Sequence, residues 1–322
     1  MPVTQEQADW FAGAVDQLVE NLNQAILGKP DVIKLVVTAL LTGGHVLLED
    51  VPGTGKTVLA KSLANSIEGT QSRIQFTPDL LPSDVTGVTI YDQGTGKFAF
   101  HPGPVFSSIV LADEINRASP KTQSALLEVM EEGVVTVDGT SHPVGAPFMV
   151  IATQNPVEQA GTYSLPEAQL DRFLVKTSLG YPDRQTTVNL LMDSSNRARA
   201  DVVKPIIQAS VIASMVQLAA DVHADAAVMS YLSDIVDATR NDGDAALGVS
   251  IRGALALARA AKTWALADRR TYVTPDDIQD LAVPVLAHRV ILDPEAEFTG
   301  VTATQIIERA LAGVLPPTAR VS

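Results

Sequence analysis

Two glycines, a lysine and a hydroxyl stand at tight spacing in Gly53-Thr54-Gly55-Lys56-Thr57, a combination suited to holding a chain of phosphates. An apolar run, His45-Val46-Leu47-Leu48, precedes it, and a helical pattern, Val58-Leu59-Ala60-Lys61-Ser62-Leu63-Ala64, follows. A loop between strand and helix turns its backbone N–H groups toward phosphate oxygens, so the cradle is expected to run from Pro52 to Val58. Lys56 is placed to reach the β- and γ-phosphates, and the Thr57 hydroxyl to ligate Mg²⁺. The strict pattern G-x-x-x-x-G-K-[ST] asks for glycine where this chain has Asp50. A turn that merely joined strand to helix would leave Lys56-Thr57 at the helix start without a reason.

A second segment, Ser108-Ile109-Val110-Leu111-Ala112-Asp113-Glu114, is an apolar strand that ends in two acids. Asp113 is expected to hold the magnesium ion through water, as the acidic partner of Thr57, and Glu114 to polarise the water that attacks the γ-phosphate. Two carboxylates closing a strand are common; beside a phosphate loop they acquire a task. A third strand, Phe148–Thr153, delivers Asn155 in Gln154-Asn155-Pro156. Taken alone, Asn-Pro is an ordinary turn starter, but as the third strand end of the set its amide would stand beside the attacking water or the γ-phosphate. Ligands of open parallel sheets gather at the strands' carboxyl ends, which is where all three segments stop.

Two arginines complete the set, each with two readings. Arg172, in Leu165-Pro166-Glu167-Ala168-Gln169-Leu170-Asp171-Arg172-Phe173, either stabilises a phosphoryl group held by a neighbouring subunit or bridges to the adjoining Asp171 or Glu167. Arg252, in Gly248-Val249-Ser250-Ile251-Arg252, either reaches a nucleotide held between domains or is a solvated helix arginine.

The elements that must position these groups follow from periodicity. Phe11, Val15, Leu18, Val19, Leu22 and Ile26 recur at helical spacing before Gly28, and a second helix is predicted from Asp31 to about Leu41. Strands are predicted at His45–Glu49, Arg73–Phe76, Ser108–Ala112, Phe148–Thr153 and Leu174–Leu179. Short continuous apolar runs between helices imply strands buried on both faces, hence an α/β fold with a mainly parallel five-stranded sheet. Two hairpins interrupt the alternation, Val88–Phe100 and Val134–Val144, the second turning at Asp138-Gly139. Gly94-Thr95-Gly96-Lys97 repeats the phosphate-loop tetrapeptide, but Phe98 stands where a hydroxyl is needed and a strand follows, so it reads as a turn. Past Tyr181-Pro182-Asp183 only helices are predicted, at Val188–Met192, Ile206–Leu218, Ala227–Thr239, Ile251–Leu266, Asp277–Leu281 and Ala303–Leu311. The chain therefore divides into an α/β part, 1–181, and a helical part, 182–322.

Composition narrows the function classes. With 322 residues, 46% hydrophobic and 19% charged, the chain can bury a sizeable core. No apolar run approaches the roughly 20 residues a membrane crossing needs, and Met1–Gln7 lacks a basic then apolar signal, so a cytoplasmic protein is expected. There are no cysteines, and the five histidines are scattered, which leaves transition-metal chemistry little to stand on. A net charge of −14 opposes nonspecific attraction to nucleic acid. Neither hairpin is basic either, Lys97 being the only lysine or arginine in the two. No N-K-x-D motif for guanine occurs.

Taken together, the set resembles an AAA+ ATPase and, within that superfamily, the MoxR family. The likeness covers nearly the whole chain. It is carried most specifically by Leu48-Glu49-Asp50-Val51-Pro52-Gly53, by Gln75-Phe76-Thr77-Pro78-Asp79-Leu80-Leu81-Pro82-Ser83-Asp84, by Ala112-Asp113-Glu114-Ile115-Asn116-Arg117-Ala118 and by Ala152-Thr153-Gln154-Asn155-Pro156. The resemblance implies ATP and Mg²⁺ as ligands, and it accommodates Asp50, since the family tolerates a non-glycine there. It makes Lys56 and Thr57 Walker A, Asp113 and Glu114 Walker B, Asn155 sensor 1, Arg172 the arginine finger and Arg252 sensor 2. It makes the hairpins a helix-2 insert and a pre-sensor-1 hairpin, and the helical part a lid. Ile26-Leu27-Gly28 either resembles the segment that packs on adenine or caps the preceding helix at Gly28, and Arg117 is a further candidate for contact across subunits. Family membership also implies a homo-oligomer, a ring of six, and a partner carrying a von Willebrand A domain. Nucleic-acid motors and magnesium chelatases are the related alternatives.

Overall fold

The computed structural model describes residues 2–51, 53–94, 96–155, 163–192 and 199–317, Arg199 by its backbone alone. Pro52 therefore lies outside the described residues. Helix α1 (Gln5–Asn23) starts where the Thr4 side chain accepts from the Gln7 N–H and the Gln7 side chain returns a bond to Thr4. Its stripe, Phe11, Val15, Leu18 and Leu22, is buried, as the helical spacing predicts, while Ile26 falls beyond the helix end. Helix α2 (Pro30–Leu41) leads into β1 (Val46–Glu49), the glycine loop and α3 (Lys56–Ser66). Then come β2 (Gln71–Gln75), α4 (Pro82–Thr86), the hairpin β3 (Gly87–Asp92) and β4 (Lys97–Pro102), β5 (Ile109–Asp113) and α5 (Pro120–Glu132). A second hairpin, β6 (Val134–Val137) and β7 (Thr140–Pro143), precedes β8 (Met149–Gln154), the short α6 (Glu167–Leu170) and β9 (Val175–Thr177). Lys97 opens a strand and not a helix after the second glycine tetrapeptide, whose Thr95 lies outside the described residues.

The five central strands form a parallel sheet in the order β2-β5-β8-β1-β9. Alternate residues point to opposite faces, and both faces are dry. Val46, Leu48, Ile109, Leu111, Met149 and Ile151 join one apolar cluster, while Leu47, Val110, Ala112, Val150 and Ala152 join the other. The first cluster takes in α1, α2 and α3 and runs on into the helical part; the second is closed by α4, α5 and β6.

The remaining elements are α7 (Arg184–Met192), α8 (Ala209–Ala220), α9 (Ala226–Arg240), β10 (Ala245–Leu247), α10 (Ile251–Ala267), α11 (Pro275–Leu286), β11 (Ile291–Leu292), α12 (Pro294–Phe298) and α13 (Ala303–Gly313). The antiparallel pair of β10 and β11 departs from the all-helical expectation. Helix α11 starts as the Thr274-Pro275 pattern predicts but runs beyond Leu281, through Pro284. Burial of Val285 and Leu286 holds that last turn despite the lost N–H. Among the described residues, no helix is long and apolar enough to cross a membrane.

Two histidines sit inside this packing. His45 donates through Nε2 to the Met130 carbonyl and accepts the Val150 N–H at Nδ1, both at 3.0 Å. His288 Nε2 donates to the Phe173 carbonyl at 3.0 Å. Burial drives His45 down to about 4 and His288 to about 3, with the adjacent Arg289 charge adding to the second. The unfolded chain, titrating near 6.5, then binds more protons than the native one throughout the interval below that value. Stability should be flat in these groups above pH 6.5 and fall as pH drops toward 4, with each histidine costing about 2 kcal/mol by pH 5. Urea unfolding at pH 7 and pH 5 measures this, and equal midpoints would refute it.

Candidate functional site

The sequence opens α3 with Gly55, a residue with no side chain to cap the helix, and the first intrahelical bond runs from the Leu59 N–H to the Gly55 carbonyl. The N–H groups of the first helical turn are thus left for an outside acceptor, and the helix dipole favours an anion there. Gly53 and Gly55 have φ of +86° and +98°, a left-handed path that side-chain-bearing residues resist. No heavy atom beyond the neighbours lies within 4 Å of where a Gly53 Cβ would be, so the cradle is open on that side. Lys56 Nζ reaches back 3.4 Å to the Asp50 carbonyl, and the Thr54 hydroxyl stands 3.5 Å from the Val51 carbonyl.

One cleft is lined by Gly53, Gly55, Lys56, Thr57 and Val58 on one side and by Asp113, Glu114, Arg73 and Gln75 on the other. Asp113 closes β5, and its Oδ1 accepts the Thr153 hydroxyl at 2.7 Å. Thr153 also accepts the Glu114 N–H at 2.9 Å, so β8 fixes both acids. Glu114 is left-handed, with φ of +56°, a conformation that costs a non-glycine residue about 1 kcal/mol or more. The turn carries its carboxylate back toward the edge strand β2. There Oε2 accepts from Gln75 Nε2 at 2.9 Å and from Arg117 Nη1 at 3.0 Å. Asn155 is buried one residue past β8, the strand between β5 and β1, on the same edge of the sheet. Near the loop, a Cβ on Gly28 would lie 3.0 Å from Thr186 Oγ1, and one on Gly55 would lie 3.9 Å from Ile26 Cδ1. The Ile26–Gly28 segment and α7 therefore meet beside the cradle.

The donors facing this cleft, a threonine hydroxyl and carboxylates, are oxygen ligands of the kind Mg²⁺ takes. Among the described residues no group of three or more histidine, cysteine, aspartate and glutamate side chains could cage a metal.

Asp50 has a task of its own. It is buried, and its carboxylate accepts the Leu179 N–H at 2.7 Å, the Gly180 N–H at 2.8 Å and the Ser178 hydroxyl at 3.0 Å. It thereby ties the loop to the segment leaving β9 toward the helical part. Asp50→Ala should cost about 3 kcal/mol of unfolding free energy, because three donors lose their acceptor. Asp50→Asn, which keeps one accepting oxygen, should cost less. Urea denaturation of both variants measures this, and an Asp50→Ala protein as stable as the parent would overturn it.

Arg172 and Arg252 are elsewhere. Glu131, in the last turn of α5, holds both: Arg172 Nε is 3.0 Å from Oε2, and Arg252 Nη2 is 3.0 Å from Oε1. The Arg172 contact lacks hydrogen-bond alignment, so its buried Nε–H has no bonded acceptor. The same hollow is lined by Gly43, Gly44 and His45, which precede β1, whereas the phosphate loop follows β1. Four strand residues at about 3.3 Å each, plus the flanking turns, separate the two. Arg252 is thus brought to Arg172, in a hollow separate from its own chain's glycine-loop cleft. Among the described residues Arg172 pairs with Glu131 and not with the adjoining Asp171 or Glu167, and Asp171 is bound by the buried Arg289. Arg259 lines this hollow too, so four guanidinium groups face two acids, Glu131 and Asp171. Sequence reading missed Glu131, Arg73 and Gln75. The last two, at i and i+2 on a strand, share a face, which is a legible signal; Glu131 has no local one.

Residues 45–175 match the family described as ATPase family associated with various cellular activities (AAA), and residues 237–310 match the AAA lid domain. The chain is 50% identical to the uncharacterised protein YeaC of Bacillus subtilis over 94% of each chain. It is 38% identical to Chaperone MoxR1 of Mycobacterium tuberculosis over 94% of this chain and 82% of that one. A solved structure of a candidate ATPase from Cytophaga hutchinsonii superposes with a TM-score of 0.90 at 39% identity, covering 97% of this chain and 98% of the other.

Proposed function

The chain belongs to the MoxR family of AAA+ ATPases, and from that premise we propose that it hydrolyses ATP in a ring of its own copies to remodel a bound protein. The observation that carries this reading is the separation of the two charged sites. One end of the sheet has the glycine-loop cleft with Lys56, Asp113 and Glu114; the other has a cluster of guanidinium groups with more positive than negative charge. Head-to-tail packing, the contact that generates rings, would bring the second site of one copy against the first site of the next. In this reading the core is 1–181, the lid is 182–322, and the ring has six copies.

Lys56 and the N–H groups of the loop bind the β- and γ-phosphates. Thr57 and Asp113 would hold Mg²⁺, which when bound neutralises phosphate charge. Glu114 orients a water and accepts its proton as oxygen attacks the γ-phosphorus and the bond to the β-phosphate oxygen breaks, giving ADP and phosphate. Asn155 steadies the water, and the neighbour's Arg172 and Arg252 meet the charge that develops. Adenine packs against Ile26–Gly28 and α7. Loss of the γ-phosphate frees those contacts and moves the hairpins.

A protein client is favoured over nucleic acid because the β3–β4 hairpin exposes Ile90, Tyr91 and Phe98 and carries one lysine. Following the family resemblance, the partner is a cytoplasmic protein with a von Willebrand A domain. The test is ATP turnover per chain against protein concentration, with and without DNA. Turnover should rise with concentration as rings form and ignore DNA. Constant turnover per chain at every dilution would sink the shared site, and strong stimulation by DNA would sink the protein client.

A further inference from the structure

Strand β2 presents Arg73 and Gln75 toward β5, and Arg73 finds the carboxylate that the proposed function assigns to magnesium. Arg73 Nη2 lies 2.6 Å from Asp113 Oδ2 and 3.0 Å from Gln75 Oε1. With Thr153 on Oδ1, both oxygens of Asp113 are engaged. A guanidinium and a hydrated dication compete for one carboxylate, since like charges repel at that range. The Asp113 side chain is 12% exposed, so leaving it unpaired is costly, whereas that of Arg73 is 48% exposed and can swing into solvent. We infer that Arg73 is a resident counter-ion on Asp113 which Mg²⁺-bearing ATP displaces, so that Arg73 sets the Mg²⁺ concentration the cleft requires. The inference rests on the ATP site proposed above. It makes Arg73 a positioning residue that acts through Asp113: it keeps the acid in place before loading and yields on loading.

The test is equilibrium binding of a fluorescent ATP analogue to the whole protein during a Mg²⁺ titration that starts in chelator. Arg73→Gln uncovers Asp113, and its Mg²⁺ midpoint should fall about fivefold, the weight of a half-exposed ion pair. Arg73→Ala, which removes the same charge with a different side chain, must shift the midpoint the same way. Arg73→Lys, which keeps the charge, should stay within about twofold of the parent. An unchanged midpoint in the Gln and Ala variants overturns the inference. Weaker binding of the analogue in chelator and at saturating Mg²⁺ alike also overturns it, because Arg73 would then be a phosphate ligand. Absence of binding by the parent protein sinks the ATP site itself, whereas parent binding with unshifted variants sinks the role of Arg73 alone.

Discussion

Arg172→Ala should lower ATP turnover about 10³-fold, the lower end of what a guanidinium supplied across an interface contributes to phosphoryl transfer. Nucleotide affinity should change by less than about threefold, because the cradle at Gly53–Thr57 lies at the other end of the sheet from Arg172. A structural role for Arg172 would give a different pattern. Among the described residues its ion pair is to Glu131, with both side chains partly exposed, so losing that pair should leave thermal unfolding within a few degrees of the parent. The decisive version is a mixture. Chains with Arg172→Ala retain an intact cleft, and chains with Glu114→Gln retain Arg172. Random assembly at equal amounts pairs an intact cleft with an intact arginine at roughly a quarter of interfaces. Turnover should therefore reappear in the mixture although neither variant has it alone. A mixture as inactive as its components would show that Arg172 does not act across the interface.

That arginine also marks where sequence reading stops. That Gly53-Thr54-Gly55-Lys56-Thr57 and Asp113-Glu114 share a cleft was legible because each is a local signal: an apolar run ends and polar groups begin within a few residues. Parallel topology then puts strand ends on one edge, so the cleft could be anticipated without the order of the strands. Arg172 offered only local partners, Asp171 and Glu167. The fold gives Asp171 to Arg289, far along the chain, and brings Glu131 to Arg172 from the end of α5. Asp50 showed itself only as a departure from a pattern. Its reason, three donors at Ser178–Gly180, depends on β9 lying beside β1. Strands of two or three residues, such as β10 and β11, are too short to show any period. Arg73 and Gln75 share a strand face in the sequence, but only the adjacency of β2 and β5 turns that face toward Asp113 and Glu114.

Glu114→Gln should lower turnover by about 10²–10⁴-fold, the range for losing a positioned general base. The substitution keeps the shape of the side chain and removes its ability to take a proton. The surroundings make it a clean test. The Glu114 backbone is held by the Thr153 hydroxyl whatever the side chain is, so the left-handed turn should survive. Its Oε2 accepts from both Gln75 and Arg117, and an amide oxygen can still accept from either. The cradle and Asp113 are untouched, so a nucleotide should bind as before and remain unhydrolysed, which equilibrium binding beside turnover would show. Asp113→Asn provides the contrast: it should weaken the Mg²⁺-dependent part of binding as well as turnover, since that acid is assigned to the ion. If Glu114→Gln kept more than about a tenth of parental turnover, the loss would be smaller than removal of a general base should give. The proton would then go to another group, and the pairing of Glu114 with Gln75 and Arg117 would be structural.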